Sequence, residues 1–238
     1  MKKWLSFLLL TAFIWLSGCA AHPAAEAAEK SPLPTPQTAA VEKADVRSEP
    51  VRVACIGDSI TYGFHLDPAD TYPAQLQTYL GDGYVVENFG LNGAAVSDYV
   101  NTPVFAAARD FEPDIMVIML GSNDTNAFWW LDAETFADRY ELLLDTCDGT
   151  GANLILCTCS AAYPISGGYQ FGVDPAALTQ VCDVIRATAQ VRDLPLVDID
   201  AVTSDHPEWY ALDGVHPDAA GSAAIAQAVA ETLTPLSH

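Results

Sequence analysis

Lysine is missing from the chain after residue 50, and apart from histidine the only cations beyond that point are Arg52, Arg109, Arg139, Arg186 and Arg192. Ten basic residues stand against 31 acidic ones, a formal net charge of −21 at pH 7. Such a surface repels phosphate backbones and anionic headgroups. It excludes nucleic acid as an expected partner and disfavours a polyanionic substrate. Metal and redox spacings are missing as well. Cys157-Thr158-Cys159 has one residue between its thiols instead of two, and the five histidines are too scattered for a zinc motif. No metal or cofactor is expected. Besides Cys19 there are Cys55, Cys147, Cys157, Cys159 and Cys182. That number is odd, so in an oxidising compartment at least one thiol stays free. Most of them read as small buried apolar residues, with one disulfide possible.

What is present begins with an address. Met1-Lys2-Lys3 is basic, Trp4 to Leu16 is almost wholly apolar, and Leu16-Ser17-Gly18-Cys19 supplies small residues and a cysteine. The run is short for a bilayer span, and its flanks fit a secretory signal. It resembles a bacterial lipoprotein signal over residues 1–18. That resemblance implies cleavage before Cys19, lipid on the Cys19 thiol, and a mature protein held outside the cytoplasmic membrane by this anchor alone. Residues 19–50 are rich in Ala, Pro and Glu, with Ser31-Pro32-Leu33-Pro34-Thr35-Pro36 at their centre. This composition makes an extended tether.

From residue 51 to 238 the chain reads as one domain, with no internal repeat. Apolar, β-rich runs at Val51–Ile56, Tyr84–Phe89, Ile115–Leu120, Leu154–Cys159 and Leu196–Ile199 predict buried parallel strands. Helices are predicted over Tyr72–Leu80, Ser97–Arg109, Ala133–Cys147, Pro175–Val191 and Asp218–Leu233. Asp132 and Asp174-Pro175 are good helix starts. Five such units with short links predict a three-layer α/β/α sandwich around a five-stranded parallel sheet.

Four stretches then stand out: Gly57-Asp58-Ser59, Asn88-Phe89-Gly90-Leu91-Asn92-Gly93, Gly121-Ser122-Asn123-Asp124 and Asp213-Gly214-Val215-His216-Pro217. The first three follow predicted strands, and the fourth precedes the last helix. The C-terminal ends of parallel strands share one edge, where open α/β sheets bind ligands. Acyl transfer needs a nucleophile, a base, a group orienting the base, and donors for an oxyanion. Ser59 can attack, His216 can take its proton, and Asp213 can hold the imidazole. The backbone N–H groups of Ser59 and Gly93 and the Asn123 amide can meet the oxyanion. Gly57 leaves room for a turn and for substrate, and Gly93 leaves its own N–H uncovered. Asp58 and Asp124 read as loop scaffolding.

These stretches, in this order, resemble the four sequence blocks of the SGNH (GDSL-type) hydrolase family. The resemblance runs from about Val51 to the end of the chain. It implies a flavodoxin-like sheet and metal-free serine ester hydrolysis. It also implies Ser59 as nucleophile, Gly93 and Asn123 as oxyanion donors, and Asp213 and His216 as the rest of the triad. Ala94-Ala95 departs from the Asp or Thr often found after the glycine, which puts one loop-fixing hydrogen bond in doubt. No Gly-x-Ser-x-Gly elbow occurs. Asp205-His206-Pro207 mimics the last block, but its adjacent Asp and His send their side chains apart. His65 is expected on the surface, at most at the pocket rim.

The substrate is less legible. Phe128-Trp129-Trp130 follows the third block, and Tyr163 and Tyr169 flank a loop over residues 164–168. Trp129, Trp130 and Tyr163 are expected to border the cleft, since aromatic faces pack on sugars and acyl chains alike. Thr71-Tyr72-Pro73 and Asn88-Phe89-Gly90 resemble bacterial carbohydrate or sialate O-acetylesterase-like members. The expected substrate is therefore a small-molecule or glycan ester with a short acyl group, acetyl first. The alternatives are a lysophospholipase or thioesterase for longer chains, and a non-catalytic glycan-binding lipoprotein.

Overall fold

The computed structural model describes residues 49–164, 172–210 and 212–233. The signal, Cys19 and nearly all of the tether lie outside the described residues, as does Tyr169. Five strands form one parallel sheet: β1 (Val51–Gly57), β2 (Tyr84–Gly90), β3 (Ile115–Met119), β4 (Asn153–Cys157) and β5 (Leu196–Val197). Their spatial order is β2-β1-β3-β4-β5. The chain thus reverses direction across the sheet between β1 and β3, and a crevice opens beyond their C-terminal ends. Cys55 pairs with Asn88 on one side and Val117 on the other, so β1 is central.

Alternation along the strands feeds two cores. Ala54, Ile56, Met116, Ile118, Leu154 and Leu156 face the first. Helices α3 (Val96–Tyr99), α4 (Pro103–Asp110), α5 (Ala133–Asp148) and α6 (Pro175–Arg192) cover it with Tyr99, Phe105, Tyr140, Leu144, Val181 and Ile185. Val53, Cys55, Val117, Met119 and Ile155 face the second. Helices α2 (Tyr72–Leu80), α7 (Ile199–Thr203) and α8 (Ala219–Leu233) cover it with Tyr72, Leu76, Ile199, Ile225 and Val229. The three-layer α/β/α sandwich expected from the strand–helix alternation is the architecture found.

Two local differences have clear causes. The helix expected over Ser97–Arg109 is broken into α3 and α4. Pro103 excludes the helical conformation at the residue before it, and Thr102 is extended at φ −93°, ψ 155°. Its hydroxyl then accepts the Phe105 N–H at 3.2 Å and starts α4. The last strand stops at Val197 because the Asp198 side chain caps α7, accepting from the Ala201 N–H.

The five described cysteines are all free and buried. Burial pushes the Cys55 and Cys147 thiols up to about 12. Cys157 and Cys159 fall in different cores because β4 ends at Cys157 and the alternation stops there. The scarce arginines are used as clamps. Arg186 reaches Asp183, Asp198 and Asp200, and Arg192 reaches Glu141, Asp145 and Asp148. Each tethers α6 to its neighbours through the planar guanidinium fork.

Candidate active site

The site is built where β1 runs into α1 (Ser59–Tyr62), a single helical turn. Gly57 is required here, for a reason other than the one expected. A Cβ on Gly57 would lie 1.8 Å from Thr61 Oγ1 and 2.9 Å from the Met119 carbonyl oxygen. The glycine lets α1 and β3 close on β1; it does not make room for substrate. Asp58, buried, caps α1 by accepting the Ile60 N–H at 2.9 Å. Ser59 therefore opens a fixed turn, with its hydroxyl at the crevice.

The loop before α8 brings the other groups. Gly214 turns it at φ 77°. Asp213 Oδ1 accepts the backbone N–H groups of Val215 and His216, both at 2.8 Å. Asp213 Oδ2 lies 2.7 Å from His216 Nδ1, and His216 Nε2 lies 2.8 Å from Ser59 Oγ. An ionised carboxylate can only accept, so Nδ1 carries the proton and Nε2 is free to accept from the Ser59 hydroxyl. Burial pushes the Asp213 carboxyl up, but the His216 and Val215 N–H groups and the imidazole outweigh it and hold the carboxyl below its ordinary value. The Phe64 ring backs the imidazole at 4.8 Å.

Ser59, His216, Gly93 and Asn123 line one cavity of about 100 Å³. Ile60, Phe64, Val173 and Val215 give it apolar walls. Gly93 has φ 74°, and a Cβ there would meet nothing within 4 Å. The glycine answers the left-handed backbone, which residues with a Cβ rarely adopt. The Asn123 amide nitrogen donates to the Ala94 carbonyl at 3.0 Å, which ties the second and third blocks together. Asp124 Oδ2 accepts the Val96 N–H at 3.1 Å. These two bonds fix the loop at the point where Ala94-Ala95 put a bond in doubt.

Other residues singled out from the sequence fall elsewhere. Trp129 does not line the cavity; its Nε1 donates to the Asn123 carbonyl at 3.0 Å. Trp130 turns away and packs against the first core, its ring 6.5 Å from that of Phe136. Tyr163 donates to the Thr203 carbonyl at 2.7 Å and lies against Tyr210. Backbone and core bonds thus claim rings that chain proximity alone had placed at the cleft. His206 bonds to Glu208 at 2.8 Å and stacks on Trp209, so Asp205-His206 does not reproduce the Asp213–His216 arrangement. His65 sits at the rim, with Nε2 3.9 Å from Asp213 Oδ2. Phe64, Val173 and Val215 were missed as walls. Val215 lies inside the fourth stretch and Phe64 shortly after the first, whereas Val173 carries no local signal.

Residues 55–224 match the model of the GDSL-like Lipase/Acylhydrolase family. An acetylxylan esterase of Xylanibacter ruminicola is 28% identical over 213 residues, which are 79% of this chain and 44% of that protein. The chain thus spans less than half the length of that relative. A solved carbohydrate acetylesterase family member from Sinorhizobium meliloti superposes with a TM-score of 0.66 at 21% identity, covering 78% of this chain and 98% of its own. The native aryl esterase of M. smegmatis gives 0.66 at 21% identity, covering 78% and 99%. Both share the fold.

Proposed function

Because the chain belongs to the GDSL-like lipase/acylhydrolase family, a family of carboxylic ester hydrolases, we propose that it is a serine esterase removing short acyl groups, acetyl foremost, from carbohydrates. The observation that carries this reading is the unbroken hydrogen-bonded line from Ser59 through His216 to Asp213. Ser59 Oγ attacks the ester carbonyl as His216 Nε2 takes its proton. The tetrahedral oxyanion is met by the N–H groups of Ser59 and Gly93 and by the Asn123 amide. It collapses to an acyl-enzyme as His216 returns the proton to the leaving alcohol. Water, activated by the same imidazole, then releases the acid. Asp213 keeps the imidazole in the right tautomer and steadies its charge.

The cavity supports the short acyl group. About 100 Å³ is well below the roughly 300–1,000 Å³ of sites that enclose drug-sized ligands. The acetylxylan esterase relative supports the carbohydrate. Hydrolysis of p-nitrophenyl esters of increasing chain length tests both. Turnover should peak at acetate, with Ser59 as the residue labelled by a phosphonate. A maximum at octanoate overturns the short-chain reading, and inertness to all esters and to the phosphonate overturns the enzyme.

From the pattern of residues 1–19 we further propose that the mature protein is held outside the cytoplasm by lipid on Cys19. Among the described residues no helix is long and apolar enough to cross a membrane. Cys19→Ser should move the protein from the membrane fraction to the soluble fraction; an unchanged distribution refutes the anchor.

A further inference from the structure

We infer that Phe128 and Trp129 form an outer stacking platform for a neutral sugar ring of the ester-bearing glycan; this rests on the esterase reading above. Phe128 is 91% exposed and Trp129 55%, adjacent in the chain. Two large rings left in water at one place mark an interaction surface. The turn that displays them is pinned. The Phe128 N–H donates to Asn126 Oδ1 at 3.0 Å, and the Trp129 and Trp130 N–H groups donate to the Asn126 carbonyl at 3.0 and 2.9 Å. The Ala127 N–H donates to the Gly172 carbonyl at 3.2 Å. A backbone held this way needs little further ordering when a ligand arrives.

The platform joins the serine cavity at two points. Trp129 Nε1 donates to the carbonyl of Asn123, and Asn126 bridges to Val173. Asn123 and Val173 both line that cavity. The cavity has room for a small acyl group only, so the alcohol half of the ester must lie outside it, against its border. The apolar C–H face of a pyranose matches the negative face of an aromatic ring. The sugar is neutral because Arg139, the guanidinium of the adjoining crevice, shares that crevice with Asp124 and Asp132. A net charge of −21 also disfavours an anionic glycan or lipid surface.

The test compares Phe128→Ala with the unaltered protein on ethyl acetate and on an acetylated xylo-oligosaccharide. Ethyl acetate kcat/KM should stay within about twofold. That for the oligosaccharide should fall about tenfold, through KM rather than kcat, and Phe128→Trp should restore it. Equal losses on both substrates, or no loss on the oligosaccharide, overturn the platform. So does binding of the unaltered protein to phosphatidylcholine vesicles that Phe128→Ala abolishes, since the occupant would then be lipid. If the unaltered protein cleaves neither ester, the esterase reading has failed. Calorimetric titration with a deacetylated xylo-oligosaccharide then decides the platform by itself: weaker binding by Phe128→Ala upholds it, and equal or absent binding overturns it.

Discussion

Ser59→Ala should lower the turnover of p-nitrophenyl acetate by about 10⁴-fold or more while leaving the melting temperature within a degree or two. Serine nucleophiles that act as a unit with their base show losses of this size, about 10⁶ in the best-studied case. Only the Oγ that touches His216 is removed, so the fold has no reason to respond. Asp213→Asn should cost about 10⁴-fold by a different route. Asn has one oxygen, already claimed by two backbone N–H groups, and its amide would face Nδ1 as a donor. The imidazole would flip its proton to Nε2 and lose its capacity to accept from Ser59. The folded Asp213 carboxyl is held below its ordinary value, so its stabilising contribution is present above the usual carboxylate range and is lost only as pH falls through its lowered value. Loss of rate on mild acidification should therefore not report protonation of Asp213. Steady-state kinetics from pH 4 to 9 check both points. Retained turnover in Ser59→Ala, or full activity in Asp213→Asn, contradicts the assignment.

The second large effect is on stability. Asp58 and Asp124 are buried beside the site, and both carboxyls are pushed up to about 6 from an ordinary 3.8. Burial is the main cause in each. At Asp58 the Ile60 N–H partly offsets it and the charge of Asp124 adds to it. At Asp124 the Val96 N–H and Arg139 partly offset it. A pKa raised in the folded state favours the protonated form. Its contribution is thus fully present below the unfolded value, near 4, and is lost as pH rises through about 6. The difference amounts to about 3 kcal/mol for one such group, and less than twice that for a coupled pair. Asp124→Asn keeps an oxygen for the Val96 N–H and removes the charge. At pH 8 it should melt on the order of 5 °C higher than the unaltered protein, with the gap closing at pH 4. A variant less stable at pH 8 than the unaltered protein would falsify this account of the pair.

Much of the fold was legible because its signals are local. Cys55 and Ile56, or Val117 and Ile118, sit in short unbroken apolar runs of the kind a strand covered on both faces carries. Asp132, Asp174 and Pro175 announce their helices by cap chemistry. Pro103 announced a break just as clearly, yet it falls inside the single helix predicted over Ser97–Arg109. The site's skeleton was legible because Ser59, Gly93, Asn123, Asp213 and His216 each sit in a short block whose order matched the strand ends. The walls were not. Val173 reaches the cavity through a bridge to Asn126, a pairing between distant segments that no neighbouring residue reports. Tyr163 was misplaced for the same reason, since its partner Thr203 lies on another element; Trp130 instead packs onto Phe136 of the helix that begins just after it. Gly57 stood out in the sequence, but the reason for it lies in contacts with Thr61 and Met119 that no neighbouring residue reports.

Five thiols folded inward and unlinked carry a practical corollary. The domain owes none of its assembly to oxidation, so it can be produced in a strongly reducing host cytosol without a partner enzyme to make or shuffle bridges. An added thiol reductant should change neither its yield nor its melting curve.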